Sequence, residues 1–258
     1  MYSPSSPRRS WTASISSASS RRTKTVIASR IGLIGGLSWE STASYYKYFH
    51  ELYVGGDNEW SAPEIIIDSV DFGSIVALQR VGDWSGTGAI VADAGRRLEM
   101  AGATVLGIGA NTMHVNYDDV CRAVSIPVVD VRDAVAREVL ARGHDTVALL
   151  GTKYLINGSF YSDRLEHLGV RCVKPNDEQT EGLQTIIFNE LTKGIVTDAS
   201  RDYLTEVATS CRERGAQVVG LCCTEFGLLV AESDNVIDST RAHVRALLAH
   251  AASEATND

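Results

Sequence analysis

One short pattern occurs twice in this chain, and it restricts the possible folds more than any other feature. The first copy is Gly102-Ala103-Thr104-Val105-Leu106-Gly107-Ile108-Gly109-Ala110-Asn111-Thr112. The second is Gly215-Ala216-Gln217-Val218-Val219-Gly220-Leu221-Cys222-Cys223-Thr224-Glu225. They align without a gap, so Cys223 takes the place of Ala110. Each reads as a buried strand that follows a helix and ends in a polar turn able to open another helix. In open parallel sheets, ligands bind beyond the carboxyl ends of such strands. Two such ends facing one another set Cys223 on one wall of a cleft and Ala110, Asn111 and Thr112 on the other.

The rest of the chain repeats around these strands. Arg30 to Gly36 is a short apolar strand closed by two glycines, and Thr146 to Thr152 echoes it with Gly151 in the place of Gly35. The helix expected over Thr87 to Ala101 is echoed by Ser200 to Arg214, and Pro127-Val128-Val129-Asp130 by Asn235-Val236-Ile237-Asp238. Matched signals in matched order indicate an internal duplication. Strands alternating with helices require mainly parallel sheets covered on both faces. The expectation is an α/β protein of two pseudo-symmetric three-layer lobes with the active-site cleft between them, residues 30–130 and 131–238. Pockets are common at such boundaries.

Residues 1–29 differ from the rest of the chain. They are rich in Ser and Arg, and no Asp or Glu precedes Glu40. That composition fits an organellar transit peptide or a disordered extension, and neither belongs to the fold. The 258 residues carry a formal net charge of -8, which disfavours nucleic acid and anionic membranes as partners. No apolar run approaches the ~18 residues of a membrane helix. Five cysteines in no framework spacing suggest reduced thiols inside the cell, with the cytoplasm as the expected compartment. No ligand spacing suggests a metal.

A cysteine between a strand end and a helix start sits where N–H groups and the helix dipole favour thiolate, a nucleophile or general base. Only Cys223 has that setting, beside Thr224 and Glu225. Cys121, Cys172 and Cys211 read as packing, and Cys222 alternates to the opposite face of the strand and reads as core. Thr112 and Thr152 at strand ends could bond a carboxylate through their hydroxyls, and Asn111 through its amide; each alone is more often a cap or turn residue. His114 and His243 follow strand ends and are candidate acids. The Gly35-Gly36 turn, with Ser38 near a helix start, could bring backbone N–H groups to a ligand. It lacks the Gly-x-Gly-x-x-Gly pattern of dinucleotide sites.

Ile31 to Thr42, Asn111-Thr112-Met113-His114, Leu149-Leu150-Gly151-Thr152 and Cys223-Thr224-Glu225 together resemble the aspartate/glutamate (and hydantoin) racemase superfamily. Ser38 to Thr42, Asp71-Phe72 and Phe160-Tyr161 look most like its broad-specificity amino-acid and L-aspartate/glutamate racemases. The resemblance implies proton transfer at Cα by two thiols on opposite faces of an amino-acid or dicarboxylate substrate, with no cofactor. It implies Cys223 as acid/base, with Asn111 and Thr112 beside it. It implies a substrate site formed by Gly35, Gly36, Ser38, Thr42, Gln79, Ala110, Thr152, Lys153, Thr224 and Glu225. It also implies a homodimer, and a last helix, 239–252, returning to the first lobe. The chain departs from the pattern at Ala110, where the first-lobe thiol belongs; water, Thr112 or His114 would have to supply that proton. Two other readings arise from this gap: a single-thiol decarboxylase or isomerase of the same superfamily, arylmalonate-type, or a protein that binds an amino acid with little turnover.

Overall fold

Ile31–Gly35 is apolar along its whole length and every residue of it is buried, as a central parallel strand requires; it is β1. In the computed structural model the described residues are 29–54 and 60–255. The reading of an N-terminal extension thus lies almost wholly outside them. The chain continues through helix α1 (Trp39–Leu52), β2 (Ile65–Ser69), α2 (Phe72–Arg80), α3 (Trp84–Met100), β3 (Val105–Ile108), a 3₁₀ turn (Thr112–Asn116), α4 (Tyr117–Ala123) and β4 (Val128–Val129). Helix α5 (Val131–Ala141) leads into β5 (Thr146–Leu150), α6 (Lys153–Asn157), α7 (Ser162–His167), β6 (Arg171–Val173) and α8 (Asp177–Asn189). A 3₁₀ turn (Leu191–Lys193), α9 (Asp198–Glu213), β7 (Val218–Leu221), a further 3₁₀ turn (Thr224–Leu228), β8 (Val236–Asp238) and α10 (Ser239–Ala255) complete it.

The two halves share one topology. The sheets run β2-β1-β3-β4 and β6-β5-β7-β8, four parallel strands each. The duplication read from the sequence extends to individual hydrogen bonds. Gly109 N–H donates to Ile34 O at 2.9 Å, and Cys222 N–H donates to Leu150 O at 2.7 Å. Thr104 N–H reaches Arg30 O at 2.8 Å as Gln217 N–H reaches Thr146 O at 2.9 Å. Ala110 and Cys223 come directly after the first pair, so they occupy equivalent points at the ends of β3 and β7.

Helix α10 leaves β8 in the second half and covers the first sheet. Val244 and Leu247 pack with Ile31, Leu33, Val105, Tyr45 and Phe49 in one cluster. Gly107 permits this approach: a Cβ there would lie 2.7 Å from Leu247 Cδ1. Helices α3 and α9 begin earlier than Thr87 and Ser200, where sequence patterning placed their starts, because side-chain caps from Asp83 and Thr197 fix them. Ser38 caps α1, Asp71 caps α2 and Asp83 caps α3. Helix α6, opened by the Thr152 hydroxyl, is too short for its periodicity to be read.

Candidate active site

The ends of β3 and β7 meet across a cleft lined by Ala110, Asn111 and Thr112 on one side and Cys222, Cys223, Thr224 and Glu225 on the other. Leu37, Phe72, Gln79, Met113, Thr152, Tyr154, Ile187, Phe188 and Thr192 complete its wall. The enclosed volume is about 40 Å³, room for a few waters.

Cys223 is 6% exposed, and its Sγ–H donates to Glu225 Oε2 at 3.1 Å. The same oxygen accepts from the Thr224 hydroxyl at 2.7 Å, and Oε1 accepts from Ser38 at 2.5 Å. Burial first, and then the charge and hydrogen bond of Glu225, push the Cys223 thiol well above its ordinary range. This corrects the expectation of a dipole-stabilised thiolate. The turn after Cys223 is one short 3₁₀ segment, whose dipole is weak, while Glu225 sets a full negative charge beside the sulfur. Without a ligand the group is a thiol whose proton already points at a carboxylate.

Ser38 makes one of the contacts between the lobes, through Glu225. Its hydroxyl also accepts from Ser41 N–H at 3.1 Å, capping α1. Its backbone sits at φ 154°, ψ 151°, a region almost confined to glycine that costs about 1–3 kcal/mol. The cap and the bond to Glu225 hold it there. Glu40, two residues along, is pushed up by burial and then by the charge of Glu225.

Other expected site residues are engaged differently. The Thr112 and Thr152 hydroxyls bond each other across the cleft at 2.8 Å, leaving one hydroxyl proton for a ligand. Asn111 Oδ1 accepts from Tyr161 OH, and its Nδ2 donates to Ser239 Oγ, both at 2.9 Å, so one amide proton stays available. Gln79 Nε2 donates weakly to Met113 Sδ at 3.4 Å. Thr224 spends its proton on Glu225. At the Gly35-Gly36 turn, Gly36 N–H already donates to Thr42 Oγ1 at 2.8 Å, and a Cβ on Gly36 would strike Val70 O at 2.2 Å. Gly35, Gly36 and Thr42 shape the turn that sets Ser38. Lys153 is not part of the cleft lining and pairs with Glu181 at 3.4 Å.

Neither histidine is free to transfer a proton. His114 Nδ1 lies 2.9 Å from Ala110 O, and its Nε2 accepts from Val131 N–H at 3.2 Å. That arrangement puts the proton on Nδ1 and fixes a neutral ring. His243 lies 2.8 Å from Tyr45 OH and 2.9 Å from Val129 O, and burial, then neighbouring His114, lower it to about 3. Cys222, read as core, is fully buried against the Tyr161 hydroxyl and pushed up to about 12 by burial. Among the described residues no group of three or more His, Cys, Asp or Glu could hold a metal ion. No helix of those residues is long and apolar enough to cross a membrane.

Sequence reasoning missed the wall supplied by Tyr154, Ile187, Phe188 and Thr192. The second lobe folds these over the cleft from α6, α8 and the turn after it, and no motif marks them. Tyr154 also meets Trp84 of the first lobe edge to face, ring centroids 5.4 Å apart.

Two matched parallel-sheet lobes closing on a thiol at the end of a central strand define a two-lobe racemase-type fold. The chain belongs to the Asp/Glu/hydantoin racemase family, whose model matches residues 34–247. A Yersinia pestis protein of proposed Asp/Glu racemase activity is 36% identical, with 87% of this chain and 99% of that one superposed at TM-score 0.77. An aspartate racemase homologue from Pyrococcus horikoshii is 39% identical, covering 86% and 99% at TM-score 0.75. The broad-specificity amino-acid racemase RacX of Bacillus subtilis is 25% identical over 147 residues, 55% of this chain and 63% of that protein. The chain therefore matches under two thirds of that relative's length.

Proposed function

We propose that the protein is a thiol-based racemase or epimerase of α-amino acids that works without a cofactor and moves the α-proton through Cys223. The observation that carries this reading is the buried Cys223 Sγ–Glu225 contact at 3.1 Å, facing an equivalent position that holds only a methyl group. Family membership and the relatives named aspartate racemase homologue and amino-acid racemase support it.

Proton transfer starts at the sulfur. Cys223 Sγ–H passes its proton to Glu225, the neighbour it already bonds. The thiolate then takes the α-hydrogen, and the electron pair of the Cα–H bond moves into the substrate carboxylate. The free protons of Asn111 and of the Thr112–Thr152 pair meet the charge that builds there. Return of the proton from Cys223 restores the starting enantiomer. Inversion needs a proton from the Ala110 side, where no thiol or carboxyl stands, so water or the weakly acidic Thr112–Thr152 hydroxyl pair delivers it slowly. The substrate carries a free α-ammonium, which the carboxylates of Glu225 and Glu40 favour; aspartate and glutamate are the acids in the relatives' names.

Replacing Cys223 by Ala should lower α-proton exchange with D₂O by at least ~10²-fold, with the circular dichroism spectrum unchanged. Exchange at the wild-type rate in a folded Cys223→Ala protein would disprove the assignment. A second reading draws on the same bare methyl: one thiol suffices to protonate a carbanion left when a 2-substituted malonate loses carbon dioxide. Carbon dioxide release from such a malonate, with no α-exchange in amino acids, would select it.

A further inference from the structure

The chemistry of the cleft divides along its depth. At the bottom sit Cys223, Thr224, Glu225, Asn111 and the Thr112–Thr152 pair, all buried. Towards the mouth the wall is Phe72, Tyr154, Ile187 and Phe188, three of them only half-buried. The reacting Cα has to lie against Cys223, so the polar floor takes the ammonium and α-carboxylate. The side chain then points along the apolar wall.

A second carboxylate would find no cation there, only the Gln79 amide and the Thr192 hydroxyl, which already donates to Phe188 O. Among the described residues no Lys or Arg lines the cleft. Of the cations next to wall residues in sequence, Lys153 pairs with Glu181, and Arg80, beside Gln79, and Lys193, beside Thr192, are exposed. The charge already present is negative, from Glu225, and its effect reaches Glu40. A buried carboxylate without a cation or several donors is strongly disfavoured, and like charges add to the penalty.

We infer that the substrate is an α-amino acid with an uncharged, largely apolar side chain, not a dicarboxylic one. Phe72, Tyr154, Ile187 and Phe188 are its specificity wall. This deepens the thiol-based reading and rests on it. Apolar pockets discriminate by ~10–200-fold per group added or removed, and an unpaired buried charge raises that ratio.

The test measures deuterium uptake at Cα for L-methionine, L-leucine, L-aspartate and L-glutamate, each with the full chain in D₂O. Exchange, read as kcat/KM, should be at least ~10-fold faster for methionine or leucine than for either acid. Placing a cation at the mouth by Phe188→Arg should move the glutamate-to-methionine ratio towards glutamate by ~10-fold or more. Faster exchange of the acids in the wild type would overturn this inference and leave the role of Cys223 standing. A folded Phe188→Arg protein with an unchanged ratio would also count against the wall. Exchange in none of the four, and in none of their D-enantiomers, would overturn both readings together.

Discussion

The ends of β3 and β7 are equivalent in backbone and opposite in chemistry. Both are central parallel strands, both pass a backbone hydrogen bond to the neighbouring strand at the same point, and both turn into a 3₁₀ segment. One then presents Ala110, the other Cys223 with Glu225 behind it. The duplicated scaffold thus fixes where an acid/base group can stand, and the side chain alone decides whether that face of a substrate is served. The lobes differ in their covers too. The first sheet is covered by α10, held through the buried imidazole of His243; the second buries the thiols of Cys222 and Cys223 at its strand end.

The largest expected change comes from making the two ends alike. Ala110→Cys should raise inversion by ~10²-fold or more while α-exchange on the Cys223 face changes little, read by chiral chromatography beside deuterium uptake. No gain in inversion would mean that the Ala110 face already has a proton source.

The covers should fail at opposite ends of the pH scale. His243 is neutral when folded, with its pKa lowered to about 3, so its contribution is present above the unfolded value of about 6.5 and is lost as pH falls. Between pH 7 and 5 that loss is about 2 kcal/mol, a lower urea midpoint with amide exchange rising first in α10. Cys222 is pushed up to about 12, so the second lobe keeps its contribution below about pH 8.5 and loses it as pH rises towards 12. Acid loosening confined to the second lobe would break this contrast.

A smaller effect tests the pair behind the sulfur. Burial keeps the Cys223 thiol high even without Glu225, and the carboxylate adds to it. Glu225→Gln should therefore move the alkaline limb of the rate profile to lower pH while the maximal rate falls about tenfold, because the proton acceptor is gone. A limb that stays in place would show that Glu225 does not act on the thiol. Ser38→Ala should cost about 2–4 kcal/mol, through the α1 cap and the lost bond to Glu225 together, measured by thermal melting.

Much of this contrast was legible in the sequence. The gapless alignment of the two strands already set Cys223 against Ala110, and strand alternation already sent Cys222 to the core. The contacts that decide the chemistry were not legible. Ser38 and Glu225 are far apart in the chain and meet only when the lobes close. Local pattern gave Cys223 a favourable helix dipole; burial in the closed cleft, and then the carboxylate two residues on, reverse the sign of the shift. His114 and His243 looked free because nothing local shows that backbone groups from other elements occupy their ring nitrogens. The aromatic and aliphatic wall from α6 and α8 carries no motif at all.

The central claim is that one face of the substrate has a proton-transfer group and the other has none. In D₂O, with an L-amino acid that turns over, the remaining L-substrate should take up α-deuterium well before its D-enantiomer accumulates. Deuterium found in the D-product alone, with the L-substrate still protiated, would show two working faces and contradict the account.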